Sequence, residues 1–177
     1  MQQTFLRDRS AAADGSAIAW LDARYALKVA LVYQDATTLL WARQVRDRMA
    51  EEAGQGHIHC TEWQVSNLKE RKAFSEGVAA LAQADAIVVS LHEAERLPAT
   101  FYLWVNVWLQ QRAGLHGVLV ALIVPPEGPN SGANETRRYL YAVASQGRLE
   151  LLTQDYEQLG APIPDLREDI LRWAKAA

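Results

Sequence analysis

Between Leu27 and Thr153 the chain alternates two patterns: short apolar runs, and longer stretches whose apolar residues recur at helical spacing. Leu27–Tyr33, Ala86–Leu91 and Gly117–Val124 are apolar on both faces, as a strand covered on both sides must be. His57–Trp63 alternates instead, with Ile58, Cys60 and Glu62 on one side, and reads as an edge strand. Leu149–Thr153 is a short fifth strand. Between the strands, Leu39, Ala42, Val45 and Met49 share one helical face as far as Ala53, where Gly54 and Gly56 stop the helix. Leu68, Phe74, Val78 and Leu81 mark a second helix closing at Ala84, and Pro98 opens a third that runs to Arg112. Tyr139, Leu140 and Val143 belong to a fourth. Asp165 caps a last helix, with Glu168 at its third position and Leu166, Ile170 and Trp173 facing inward.

Parallel strands buried on both faces need right-handed crossovers that place helices on the two sides of the sheet. The pattern therefore predicts an α/β fold, a three-layer doubly wound sandwich around a five-stranded parallel sheet of order 2-1-3-4-5. That is the flavodoxin-like or receiver-like architecture. A chain of 177 residues with no linker between two cores suits one domain, residues 26–177. Residues 1–25, with the low-complexity stretch Ser10–Ser16, are expected to form a mobile N-terminal extension that includes at most a short helix from Ala17 to Arg24.

Composition narrows the function. Half the residues are apolar and 22% are charged, which excludes a disordered chain. The formal charge of -3, from 18 basic and 21 acidic residues, gives no general reason to bind nucleic acid or an anionic membrane. The single cysteine, Cys60, excludes an internal disulfide and any multi-cysteine metal site. The first residues lack the basic and apolar regions of a signal peptide, and no apolar stretch reaches the ~20 residues of a membrane span. A cytoplasmic protein is expected.

In a sheet of this order the connections diverge between the first and third strands and leave a crevice outside their C-terminal ends. The residues expected to line it are Gln34, Asp35, Thr37 and Thr38 after the first strand, and Ser90, His92, Glu93 and Glu95 at and after the end of the third. Pro125, Pro126 and Glu127 follow the fourth strand, and Thr153, Gln154 and Asp155 follow the fifth. Asp35 at such a junction can hold a divalent cation, but its commoner use is to cap the helix that follows. Ser90, His92 and Glu93 invite comparison with acyl-transfer groupings, yet Ser90 lacks the Gly-x-Ser-x-Gly elbow that exposes a nucleophile. No catalytic residue and no metal site are assigned. His57 and His59 share a strand face, with Cys60 on the other, and read as a solvated surface.

The segment Phe101–Leu109 is apolar nearly all round, with Asn106 its one clearly polar member. One face can cover the sheet and the other needs a partner. Self-association is the economical reading, with Phe101, Trp104, Val105 and Trp108 at the interface of a homodimer built on the Pro98–Arg112 helix. The alternative is that the N-terminal residues Phe5, Ile18 and Trp20 fold back over that helix.

Known functions of this architecture leave signatures that can be checked. A receiver domain needs a phosphoacceptor aspartate after the third strand, an acidic pair after the first and a lysine after the fifth. Here Asp35 alone survives, beside Ser90-Leu-His92 and Leu152-Thr-Gln154. A flavodoxin cradles the FMN phosphate in a Ser/Thr- and Gly-rich loop after the first strand. Gln34–Thr38 offers two hydroxyls, no glycine, and a carboxylate that would repel phosphate. No Gly-x-Gly-x-x-Gly or Walker-type loop is present.

Trp63 with Leu68, the run Ala84–His92, Leu97-Pro98, Trp104, Trp108 and Arg112 form a pattern over residues 27–155. It resembles small uncharacterised bacterial α/β proteins of receiver-like or flavodoxin-like fold. The resemblance implies that Trp63, Trp104 and Trp108 serve the fold or an interface rather than a cofactor. The expected function is thus a non-catalytic, receiver-like signalling or protein-interaction module without a bound cofactor. The alternatives are a flavin- or nucleotide-binding protein (FMN being the flavin in question) that uses the crevice between the first and third strands, and a small hydrolase around His92.

Overall fold

The structure, a computed structural model, describes residues 26–53, 58–92, 97–112, 114–124 and 133–155. The expected N-terminal extension, the fold-back of Phe5, Ile18 and Trp20, and the helix beginning at Asp165 lie outside the described residues, as do His57, Glu93, Glu95 and residues 125–127.

The described elements follow in the order β1 (Leu27–Tyr33), α1 (Ala36–Ala53), β2 (Ile58–Gln64), a 3-10 turn (Val65–Lys69), α2 (Arg71–Ala82), β3 (Ala86–His92), α3 (Ala99–Gln111), β4 (Gly117–Val124), α4 (Ala133–Gln146) and β5 (Leu149–Asp155). The strands form one parallel sheet of order β2-β1-β3-β4-β5, with Val29 opposite Ala86 and Ala86 opposite Val118. This is the predicted flavodoxin-like α/β architecture, and the alternating strand is the predicted edge. Among the described residues no helix is long and apolar enough to cross a membrane.

Strand alternation sorts the core into two layers. On one side Leu27, Val29, Leu31, Ala86, Val88, Val118, Val120 and Leu122 pack with Ala42, Val45 and Met49 of α1. On the other side Ala30, Val32, Ile87, Val89, Leu91, Leu119, Ala121 and Ile123 meet Val78 and Leu81 of α2, the aromatic face of α3, and Leu140 and Val143 of α4. β2 joins through its α1-facing residues: Ile58 and Cys60 pack on the first layer, and the Glu62 carboxylate takes a two-point bond from the Arg43 guanidinium at 2.8 and 2.7 Å. That bond holds the Glu62 carboxyl below its usual pKa.

Leu68 lies in a separate 3-10 turn rather than in the second helix. The chain breaks at Glu70, whose extended backbone (φ -83°, ψ 127°) sends its N–H back to Asn67 O and lets α2 start afresh at Arg71. Pro98 precedes the third helix as its N-cap, and β5 runs two residues beyond Thr153.

Arg112 ties the N-terminal edge of the sheet together. It is 6% exposed, and its guanidinium donates to four backbone carbonyls: Ala84 O at 2.7 Å, Gly147 O at 3.1 Å, Leu81 O at 3.2 Å and His116 O at 3.4 Å. These carbonyls belong to the ends of α2 and α4 and to the segments leading into β3 and β4. Burial pushes the Arg112 pKa down, and the Asp85 carboxylate acts against it.

Candidate functional site

β1 and β3 are neighbours whose chain connections leave in opposite directions, so their C-terminal ends define the crevice. Only Gln34 and Asp35 separate β1 from α1. In so short a junction the polar side chains turn back on the backbone. Asp35 Oδ1 accepts the Thr38 N–H at 2.9 Å, and Asp35 O accepts the Leu39 N–H at 2.9 Å, the arrangement of a helix N-cap. The wholly buried Thr38 hydroxyl reciprocates. It accepts the N–H groups of Gln34 and Asp35, at 3.0 and 2.9 Å, and lies 3.0 Å from both Asp35 O and Asp35 Oδ1.

The crevice is bridged from the β3 side by His92. Its Nε2 stands 2.7 Å from Asp35 Oδ2, and its backbone N–H donates to Gln34 Oε1. Gln34 O accepts the Gln64 side-chain amide at 3.2 Å, which fastens the junction to the end of β2. Trp41, one turn into α1, meets the imidazole edge to face with ring centroids 6.2 Å apart. The Asp35 carboxyl is held below its usual pKa. The Thr38 N–H is the main cause, partial burial opposes it, and the His92 contact adds to the lowering. The carboxylate is therefore anionic at neutral pH.

Of the expected site residues, the fold brings Gln34, Asp35, Thr38 and His92 into one hydrogen-bonded cluster. Thr37 is exposed on the first turn of α1, and Glu93 lies outside the described residues. Ser90 is opposite Tyr33 in register and wholly buried. Alternation from Ala86 and Val88 puts it on the α1 side of the sheet, and its Oγ has no hydrogen-bond partner among the described residues. It is not bonded to His92, whose imidazole meets Asp35. The Ser90–His92 link of the expected grouping is thus not formed. Gln64 and Trp41 were missing from the sequence-based set, because their proximity follows from strand order and helix phase. The one available signal for Trp41 was its spacing of three residues from Thr38. Among the described residues no three His, Cys, Asp or Glu side chains converge as metal ligands would.

The interface assignment is corrected. Phe101, Trp104, Val105 and Trp108 are 1, 0, 3 and 2% exposed and belong to the protein's own core. α3 is flanked by α2 and α4 as well as by the sheet. Trp104 lies against Gly77 and donates its indole N–H to Phe74 O at 3.1 Å, while Phe101 meets Tyr139 at 6.3 Å between centroids. A helix covered on three sides is apolar nearly all round without any partner. Its exposed residues are Ala99, Tyr102, Leu103, Asn106, Gln110 and Gln111.

The fold and crevice define a flavodoxin-like α/β protein. No protein-family model matches the chain, and no curated protein matches its sequence. Among solved structures it is similar to the flavodoxin of Streptococcus pneumoniae TIGR4, at 10% identity and a TM-score of 0.52, covering 84% of this chain and 99% of that one. A short-chain flavodoxin associated with a non-canonical PDU bacterial microcompartment superposes at 16% identity and 0.52, covering 84% and 95%. An NADH:FMN oxidoreductase in its apo form does so at 13% and 0.54, covering 86% and 90%. Similarities this distant establish the fold. They also overturn the first functional expectation, because these neighbours are flavodoxins and a flavin oxidoreductase rather than receiver modules.

Proposed function

We propose that the protein binds a flavin or related nucleoside-like ligand in the crevice outside the C-terminal ends of β1 and β3. The observation that carries this reading is the concentration of polar groups at that point of an otherwise apolar sheet: Gln34, Asp35, Thr38 and His92, with the Trp41 ring beside them. An apolar scaffold that gathers a few convergent polar groups at its switch point is the usual form of a small-molecule site in this architecture. The flavodoxin and NADH:FMN oxidoreductase neighbours support flavin as the ligand class. The buried Ser90 hydroxyl near the end of β3 is a further polar group, without a hydrogen-bond partner among the described residues.

The residues fit FMN only in part. His92 and Trp41 offer ring edges and faces suited to a planar heterocycle, and a bound flavin would supply one- or two-electron redox chemistry. The phosphate has no cradle comparable to that of a flavodoxin, because the Asp35 carboxylate already holds the first turn of α1. The test is direct. The full chain is purified without added ligand, its visible absorption recorded, and riboflavin then titrated while flavin fluorescence is followed. A retained yellow chromophore or saturable quenching supports the proposal; a colourless protein that quenches no flavin refutes it.

A further inference from the structure

We infer that Asp35 decides the ligand class of this crevice: it excludes a phosphate monoester and admits the dephosphorylated, polyhydroxylated counterpart, a riboflavin or nucleoside rather than FMN or a nucleotide. The inference rests on the flavin-binding proposal and sharpens it. A helix N-terminus attracts phosphate through its unpaired N–H groups and the positive end of its dipole. In this chain an internal carboxylate already stands at that helix end and takes one of its N–H groups. The Thr38 N–H is bound to Asp35 Oδ1, and the N–H groups of Gln34 and Asp35 are bound to the Thr38 hydroxyl. That hydroxyl is buried and turned back on Asp35, so it cannot reach a ligand. A phosphate would have to displace an internal anion from its cap, or stand beside it.

The same geometry suits an uncharged polyol. Asp35 Oδ2 lies on the crevice side, 2.7 Å from His92 Nε2, and half of the Asp35 side chain is open to solvent. An ionised carboxylate only accepts hydrogen bonds, so its remaining lone pairs match hydroxyl donors such as those of a ribityl or ribose chain. His92 gives the carboxylate a partner, but a single imidazole cannot also balance the double charge of a phosphate monoester.

The experiment is fluorescence titration of the full chain with riboflavin and with FMN, for the native protein, Asp35→Ser and Asp35→Asn. Serine keeps an N-cap hydroxyl, and asparagine keeps both a cap acceptor and the side-chain shape, so both variants retain a capped helix without the charge. The native protein is expected to bind riboflavin about tenfold or more tightly than FMN, the scale of one like-charge penalty near the surface. Both variants are expected to gain FMN binding and lose the preference. Equal or tighter FMN binding by the native protein overturns the inference and leaves the flavin proposal standing. A riboflavin preference that persists unchanged in both variants removes Asp35 as its cause. Absence of binding of either flavin to all three proteins overturns the flavin proposal and the inference together.

Discussion

Replacing Arg112 by methionine removes a buried cation that no other side chain can imitate. The guanidinium reaches four carbonyls at once, the best of them Ala84 O at 2.7 Å and Gly147 O at 3.1 Å. Methionine fills similar volume but donates nothing. Each well-formed bond to a charged donor contributes about 1.5–3 kcal/mol, so the two short bonds represent about 3–6 kcal/mol. Part of this is offset, because the variant no longer has to strip water from a charged group, a cost of several kcal/mol that the native protein incurs. A net loss of about 2–4 kcal/mol is expected, equivalent to a fall of roughly 5–15 °C in Tm for a chain of this length. Arg112→Lys should fall between the two, since an ammonium is a compact donor that cannot span carbonyls on both sides of the fork. Urea unfolding followed by far-UV circular dichroism measures all three proteins. An Arg112→Met variant within 1 kcal/mol of native would show that the carbonyls find water or one another, and the reasoning about the clamp would be wrong.

Other parts of the fold yield further expectations. A Cβ on Gly77 would stand 2.8 Å from Trp104 Cζ2, so Gly77→Ala should lower stability by about 1–3 kcal/mol despite alanine's better helix propensity; thermal melts decide the sign. Trp104 donates to Phe74 O whereas the Trp108 indole N–H has no partner among the described residues, so Trp104→Phe should cost about 1 kcal/mol more than Trp108→Phe in parallel urea titrations. The lowered Asp35 pKa gives a contribution present above its unfolded value near 3.9 and lost as pH falls through the lower folded value. Asp35→Asn should accordingly show a smaller loss of urea midpoint between neutral pH and pH ~3 than the native protein. An equal loss in both would assign the acid sensitivity elsewhere, Glu62 being the next carboxylate held down by a partner.

The sheet was legible because its cause is local. Strands buried on both faces must be continuously apolar, and Leu27–Tyr33, Ala86–Leu91 and Gly117–Val124 are. Their alternation with helical segments leaves few topologies, and the order 2-1-3-4-5 was among them. The cap at Asp35 was legible for the same reason, since donor and acceptor are three residues apart. The Asp35–His92 bridge was not, because 57 residues separate its members and only the pairing of β1 with β3 brings them together.

The Pro98–Arg112 helix marks the boundary between the two kinds of information. Its sequence specified that it had to be buried nearly all round, since hydrophobicity belongs to the side chains themselves. What would bury it was a matter of placement: α2 and α4 close over Phe101, Trp104, Val105 and Trp108, so the chain supplies its own cover. The crevice divides along the same line. Residue types at the crevice could be read along the chain, whereas which of them are spent on one another depends on distances that exist only after folding.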